Sequence, residues 1–234
     1  MNQIEVNSYE QLSEQAAKIV ESQLQKKKNS VLGLATGSTP VGMYKQLIEK
    51  YEKGDISFAD VTSFNLDEYA ALERTHPQSY FQFMKKHLFD QVDMKPGQIH
   101  IPNGTAESLV QECSRYEEDL AVHGPIDLQV LGLGINGHIG FNEPGTSFQS
   151  RTHVVDLAES TREANARFFE RKEDVPSQAV TMGIESIMKS RKIILLAYGE
   201  MKRTAIDRLF YGEVSEEFPA SILKEHPDVT VIYG

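Results

Sequence analysis

One loop of this chain concentrates residues able to move protons: Leu131-Gly132-Leu133-Gly134-Ile135-Asn136-Gly137-His138-Ile139-Gly140-Phe141-Asn142-Glu143-Pro144-Gly145. An imidazole gives and takes protons near neutrality, and an amide and a carboxylate in the same short segment can orient it. His138 is therefore a candidate acid–base group, with Asn136 and Glu143 beside it. The loop also spells G-x-G-x-x-G at Gly132, Gly134 and Gly137, followed by Asp156, which is the pattern of a dinucleotide site. That pattern must open a helix. This chain runs instead into Phe141-Asn142-Glu143-Pro144-Gly145, where Pro and Gly break helices, so a dinucleotide site is rejected. On residue type alone, a lone histidine is equally a structural hydrogen-bonder.

Two further segments suit chemistry. Asn65-Leu66-Asp67-Glu68-Tyr69 ends an apolar run with two adjacent carboxylates. They read either as a catalytic base at a cleft or as the acidic first turn of a helix, favoured by the helix dipole. The turn Thr36-Gly37-Ser38-Thr39-Pro40 joins an expected strand to an expected helix. Its backbone N–H groups, its hydroxyls and the positive end of a helix dipole suit an anion, although Ser and Thr also cap helices routinely. It lacks the Gly-Lys-Ser/Thr ending of a nucleotide P-loop. The chain has no G-x-S-x-G elbow, and its seven histidines are scattered without H-E-x-x-H spacing. Its single cysteine, Cys113, leaves no internal disulfide and no cysteine-rich metal site. Neither a metal nor an organic cofactor is expected.

The elements that must position these groups follow from hydropathy. Val31–Thr36, Val61–Leu66, Ile126–Leu133, Lys192–Tyr198 and Asp228–Tyr233 read as strands, several apolar on both faces, as strands covered by helices on both sides are. Tyr9–Gln25, Pro40–Gly54, Ser79–Val92, Glu107–His123 and Met201–Tyr211 read as amphipathic helices. Strand–helix alternation implies an α/β, three-layer Rossmann-like fold with a mostly parallel central sheet flanked by helices. No repeat or linker divides the 234 residues, so one domain, 1–234, is expected. A net charge of -10, from 24 basic and 34 acidic side chains, argues against nucleic acid as a partner. The N-terminal residues lack the features of a signal peptide, and no apolar run is long enough to span a bilayer. A soluble, cytoplasmic protein is expected, with no membrane partner.

Together these segments resemble the glucosamine-6-phosphate deaminase family. The resemblance rests on Gly33-Leu34-Ala35-Thr36-Gly37-Ser38-Thr39-Pro40, Phe64-Asn65-Leu66-Asp67-Glu68-Tyr69 and Asn136-Gly137-His138-Ile139-Gly140-Phe141-Asn142-Glu143-Pro144. His76-Pro77-Gln78-Ser79-Tyr80 and Ser150-Arg151-Thr152 also match, and the order holds over essentially the whole chain. The related 6-phosphogluconolactonases share the fold and the Gly-rich turn but continue without the Phe-Asn-Glu-Pro run.

The resemblance implies that glucosamine 6-phosphate is opened, isomerised and deaminated to fructose 6-phosphate and ammonia. It assigns ring opening to His138, oriented by Glu143 and Asn136, and proton transfer from C2 to C1 to Asp67. The phosphate falls to Thr36, Gly37, Ser38 and Thr39, together with Arg167 and Lys202. The Arg167 segment acts in the family as a lid, although its Phe168 and Phe169 equally suit core packing. Many family members carry Asp where this chain has Asn136, which can orient a histidine but holds no charge. The shorter members point to a monomer over a homo-oligomer. Two other readings stand beside this one: a 6-phosphogluconolactonase-like hydrolase, which needs no C2 proton acceptor, and a non-catalytic sugar-phosphate sensor. Sensors of that kind usually carry a DNA-binding domain, for which this chain has neither the length nor a basic helix.

Overall fold

The computed structural model describes residues 1–166, 169 and 171–234. Its strands are β1 (Asn2–Glu5), β2 (Val31–Leu34), β3 (Thr62–Asn65), β4 (Asp67–Tyr69), β5 (Ile99–His100), β6 (Leu128–Gly132), β7 (His153–Asp156), β8 (Gln178–Thr181), β9 (Ile193–Ala197) and β10 (Val229–Tyr233). Its α-helices are α1 (Tyr9–Lys26), α2 (Val41–Glu52), α3 (Tyr80–His87), α4 (Leu109–His123), α5 (Glu159–Ala166), α6 (Ile184–Met188) and α7 (Arg203–Tyr211).

Seven strands form one sheet in the order β1-β10-β9-β6-β2-β3-β5, and every neighbouring pair in it is parallel. This is the expected helix-flanked, Rossmann-like α/β fold. Its middle is apolar on both faces because helices cover both: every residue of β9 is buried. Helix α1 begins at Ser8, whose side chain accepts from the Gln11 N–H, and it buries Leu12, Ala16, Val20 and Leu24 as one stripe. That stripe packs against α2 and over β9 and β10.

The five strands expected from apolar runs are β2, β3, β6, β9 and β10, each trimmed at its ends. The stretch expected as one helix over Ser79–Val92 divides. Helix α3 stops at His87, Leu88 turns out of helical geometry with φ -150°, and a 3-10 turn, Phe89–Gln91, follows. The second sheet, β4-β8-β7, is antiparallel and was not expected. Asp67 and Glu68 belong to its strand β4, which removes the alternative of an acidic first helical turn.

The topology gathers the candidate residues. From β2 the chain steps outward to β3 and β5, then returns to β6 on the other side of β2. Ligands of such sheets sit beyond the carboxyl ends of the strands where the winding reverses, between β2 and β6 in this chain. The segments after β9, β6, β2 and β3, four consecutive neighbours, carry Lys202, the His138 loop, the Thr36–Thr39 turn and Asp67.

Candidate active site

The loop after β6 is folded around His138. Nδ1 of the imidazole lies 2.8 Å from Oδ1 of Asn136, which also accepts the His138 backbone N–H at 3.2 Å. The Asn136 amide N–H donates to Oε2 of Glu143 at 2.7 Å. With two N–H groups turned to Oδ1 and a carboxylate facing the amide nitrogen, only one orientation of Asn136 satisfies every partner. The imidazole proton therefore resides on Nδ1, and Nε2 carries the free lone pair. Nε2 has no partner among the described residues, and the side chain keeps 29% of its surface exposed. Glu143 also accepts from the Thr161 hydroxyl at 2.8 Å. Burial raises the Glu143 carboxyl, but the His138 ring, the Asn136 amide and the Thr161 hydroxyl outweigh that and hold it at about 2.

Two glycines of this loop stand where a side chain would not fit. A Cβ on Gly134 would lie 2.4 Å from Nδ1 of His138, so only glycine leaves space for the ring. Gly137 sits at φ +88° against the Phe218 ring, where a Cβ would approach to 2.2 Å.

Asp67 lies beside the His138 loop. It pairs in register with Thr181 of β8, and the Thr181 hydroxyl accepts the Phe141 backbone N–H at 3.1 Å. The antiparallel sheet thereby ties the His138 loop to the Asp67 strand. The Gly140 Cβ position lies 3.6 Å from Oδ2 of Asp67. Asp67 is only 6% exposed. Burial, reinforced by the neighbouring Glu68 charge, pushes its carboxyl up to about 8. A carboxyl poised there is matched to taking a proton near neutral pH. Glu68 is turned away from this task, since its oxygens accept the backbone N–H groups of Tyr69, Tyr80 and Phe81 at 2.9, 2.9 and 3.0 Å.

The turn after β2 is pinned from outside. The Tyr44 hydroxyl donates to the Ala35 carbonyl at 2.6 Å, and the Tyr9 hydroxyl lies 2.8 Å from the Ser38 carbonyl. Helix α2 is capped at Pro40 without a side-chain hydrogen bond. Among the described residues nothing engages the hydroxyls of Thr36, Ser38 or Thr39, so the helix-cap alternative lapses. Lys202 follows β9 at the end of a 3-10 turn, and its ammonium donates to the Leu133 carbonyl at 2.6 Å. Burial lowers its pKa. Arg167 and Phe168 lie outside the described residues. Phe169 is described: its ring meets Tyr69 edge-on at 5.9 Å, in a small cluster with Tyr80 and Phe141.

Sequence reasoning gave no role to Thr161, Thr181 or Gly134. Thr161 and Thr181 are far from their partners in sequence and carried no local signal. Gly134 was visible as loop glycine but not as the seat of the imidazole. Among the described residues no three His, Cys, Asp or Glu side chains group as a metal site.

The chain is an α/β enzyme that holds a buried carboxyl and a partly exposed imidazole at the carboxyl edge of its parallel sheet. More narrowly, the chain belongs to the family of glucosamine-6-phosphate isomerases and 6-phosphogluconolactonases, which it matches over residues 5–232. It is 56% identical to the glucosamine-6-phosphate deaminase of Lysinibacillus sphaericus (strain C3-41), across 100% of this chain and 99% of that protein. Identity to the glucosamine-6-phosphate deaminase of Thermoanaerobacter pseudethanolicus (strain ATCC 33223 / 39E) is 54%, over 96% of this chain and 89% of that one. A solved structure of a monomeric glucosamine-6-phosphate deaminase superimposes with a TM-score of 0.98 at 50% identity, covering 100% of this chain and 97% of that one. The 6-phosphogluconolactonase of Thermotoga maritima shares the fold, with a TM-score of 0.79 at 20% identity over 99% and 98% of the two chains.

Proposed function

We propose that this enzyme converts glucosamine 6-phosphate and water to fructose 6-phosphate and ammonia, acting as a single-domain monomer in the cytoplasm. The observation that carries the reading is the pairing of two separate proton-transfer groups in one crevice. One is a buried carboxyl raised to about 8. The other is an imidazole held through Asn136 with Nε2 free. A lactone hydrolase would have no use for the first.

In this reading the phosphate rests on the N–H groups and hydroxyls of Thr36, Gly37, Ser38 and Thr39, with Lys202 and Arg167 supplying charge. Nε2 of His138 takes the proton of the C1 hydroxyl and hands it to the ring oxygen as the C1–O5 bond breaks to the open-chain aldehyde. Glu143, acting through Asn136, stabilises the imidazolium while it lasts. Asp67 then removes the C2 proton, giving an enolate at C1–C2 that keeps its amino group. The protonated Asp67 returns that proton to C1 while an amino proton passes to O1, and C2 becomes an imine. Water adds to the imine, the C–N bond breaks, and ketone and ammonia leave. Membrane attachment has no part in this reading, and among the described residues no helix is long and apolar enough to cross a bilayer.

The test is direct. The purified chain, mixed with glucosamine 6-phosphate, should release one ammonia for each fructose 6-phosphate formed. Formation of neither product would refute the reading.

A further inference from the structure

Glu68 is 3% exposed, yet its carboxylate is fully engaged. Oε1 accepts the backbone N–H groups of Tyr69 and Tyr80, both at 2.9 Å, and Oε2 accepts that of Phe81 at 3.0 Å. The next free N–H of α3, on Gln82, goes to the Ser79 hydroxyl at 3.1 Å. Between them Glu68 and Ser79 satisfy the first three N–H groups of the helix, which a surface cap would do without a buried charge. Burial raises the Glu68 carboxyl above its usual range, and the three N–H donors, the positive end of the helix and the Arg74 charge work against that rise in favour of the ionised acid.

Because strand side chains alternate, Glu68 and Asp67 leave β4 on opposite faces: Asp67 toward Gly140 and the crevice, Glu68 toward α3. One residue therefore locks the strand that carries the candidate base and sets a like charge behind it. The other groups facing Glu68 are few. Tyr69 belongs to its own strand and Tyr80 to α3, whereas the facing residue of β8, Val180, is apolar. Arg74, in the segment before α3, stacks on Phe81 at 3.7 Å. A groove of about 530 Å³ behind Glu68 is lined by Arg74, His100, Glu112 and Arg115. The Arg115 charge is spent on Glu112 at 2.6 Å and on Asp119.

We propose that Glu68 is a positioning residue for the C2 base: its buried carboxylate clamps β4 to the start of α3 and sets a charge on the strand next to Asp67. The proposal rests on the role given to Asp67, and its test separates the two. Glu68→Gln removes the charge and one acceptor oxygen, whereas Glu68→Asp keeps the charge and loosens the clamp, so the two variants together separate the roles.

The experiment is a carbon-13 NMR titration of the aspartate carboxyls without substrate, with Asp67→Asn identifying the Asp67 signal. It is run on the wild type, Glu68→Gln and Glu68→Asp, alongside kcat/KM against pH. In Glu68→Gln the Asp67 midpoint and the acid limb of kcat/KM should both fall by about one pH unit, the scale of a like charge nearby. In Glu68→Asp the charge remains but the shorter chain cannot reach both Tyr80 and Phe81. The midpoint should then stay within a few tenths of the wild type, while kcat falls about tenfold or more, as misplacement of a catalytic group does. An unmoved midpoint in Glu68→Gln would overturn the charge role, and full turnover in Glu68→Asp would overturn the clamp. Should Glu68→Gln not fold, the Glu68→Asp pair of readouts decides alone. A moved midpoint with no moved acid limb would keep the Glu68 proposal and count against Asp67 as the base.

Discussion

Oδ1 of Asn136 stands 2.8 Å from Nδ1 of His138, and its amide nitrogen stands 2.7 Å from Glu143. An amide thus joins the carboxylate to the imidazole, where an aspartate at this position would set two carboxylates side by side. Glu143 is held at about 2, so it adds stability at ordinary pH that is lost as pH falls from the usual carboxylate range through that value. Asn136→Asp removes the donor and adds a like charge, which lifts Glu143. The acid-unfolding midpoint should move to higher pH, with turnover at neutral pH within about tenfold of the wild type. An unchanged acid-unfolding curve would show that the Asn136 amide does not hold Glu143 down.

His138→Gln should be slow on the ring-closed sugar, by about a hundredfold or more, the scale of a lost general acid–base group. An open-chain analogue bypasses ring opening and should restore much of the rate. Equal losses on both substrates would contradict the division of labour between His138 and Asp67.

Gly134→Ala drives a methyl into the His138 ring, with contacts of 2.4 to 2.5 Å, whereas a Cβ on Gly132 meets nothing within 4 Å. Gly134→Ala should lower kcat by about one to two orders of magnitude through a displaced imidazole. Gly132→Ala should be nearly silent. Comparable losses in both variants would mean that the loop needs its glycines for the backbone and not for the ring.

The sign of the Asp67 shift makes a stability prediction. Its carboxyl rises from near 4 in the unfolded chain to about 8 in the fold. Between those values the folded state binds more protons, so this residue costs stability increasingly as pH rises through the window. Asp67→Asn should therefore gain over the wild type as pH climbs from 5 to 9, by on the order of 4 kcal/mol. Urea unfolding at the two pH values measures it. A gap that stays constant or narrows would show that the buried charge carries no such cost.

What was legible in the chain follows from how strongly each element is patterned. Strands β2, β6 and β9 are apolar on both faces and stood out as continuous runs, as did the stripe of α1. Strands β4 and β8 did not. Asp67-Glu68-Tyr69 is three residues long and carries two carboxylates in a buried strand, which no alternation marks. Its geometry depends on pairing with Gln178–Thr181, more than a hundred positions away. The same holds within the site. His138, Asn136 and Glu143 share one loop, so their association was readable from spacing. The Thr161 hydroxyl on Glu143 and the Thr181 hydroxyl on the Phe141 N–H are tertiary contacts with no local signature. Glu68 was noticed beside Asp67, but only the α3 N–H groups tell the two carboxylates apart.

Steady-state ammonia release by Asp67→Asn shows whether Asp67 is the base that takes the C2 proton. Asparagine keeps the size of the side chain and leaves the phosphate turn and the His138 loop intact, but it cannot accept the proton. Turnover should fall by roughly three orders of magnitude or more, at the upper part of a general-base contribution, with KM within a few-fold of the wild type. Ammonia release within about tenfold of the wild type would contradict the account.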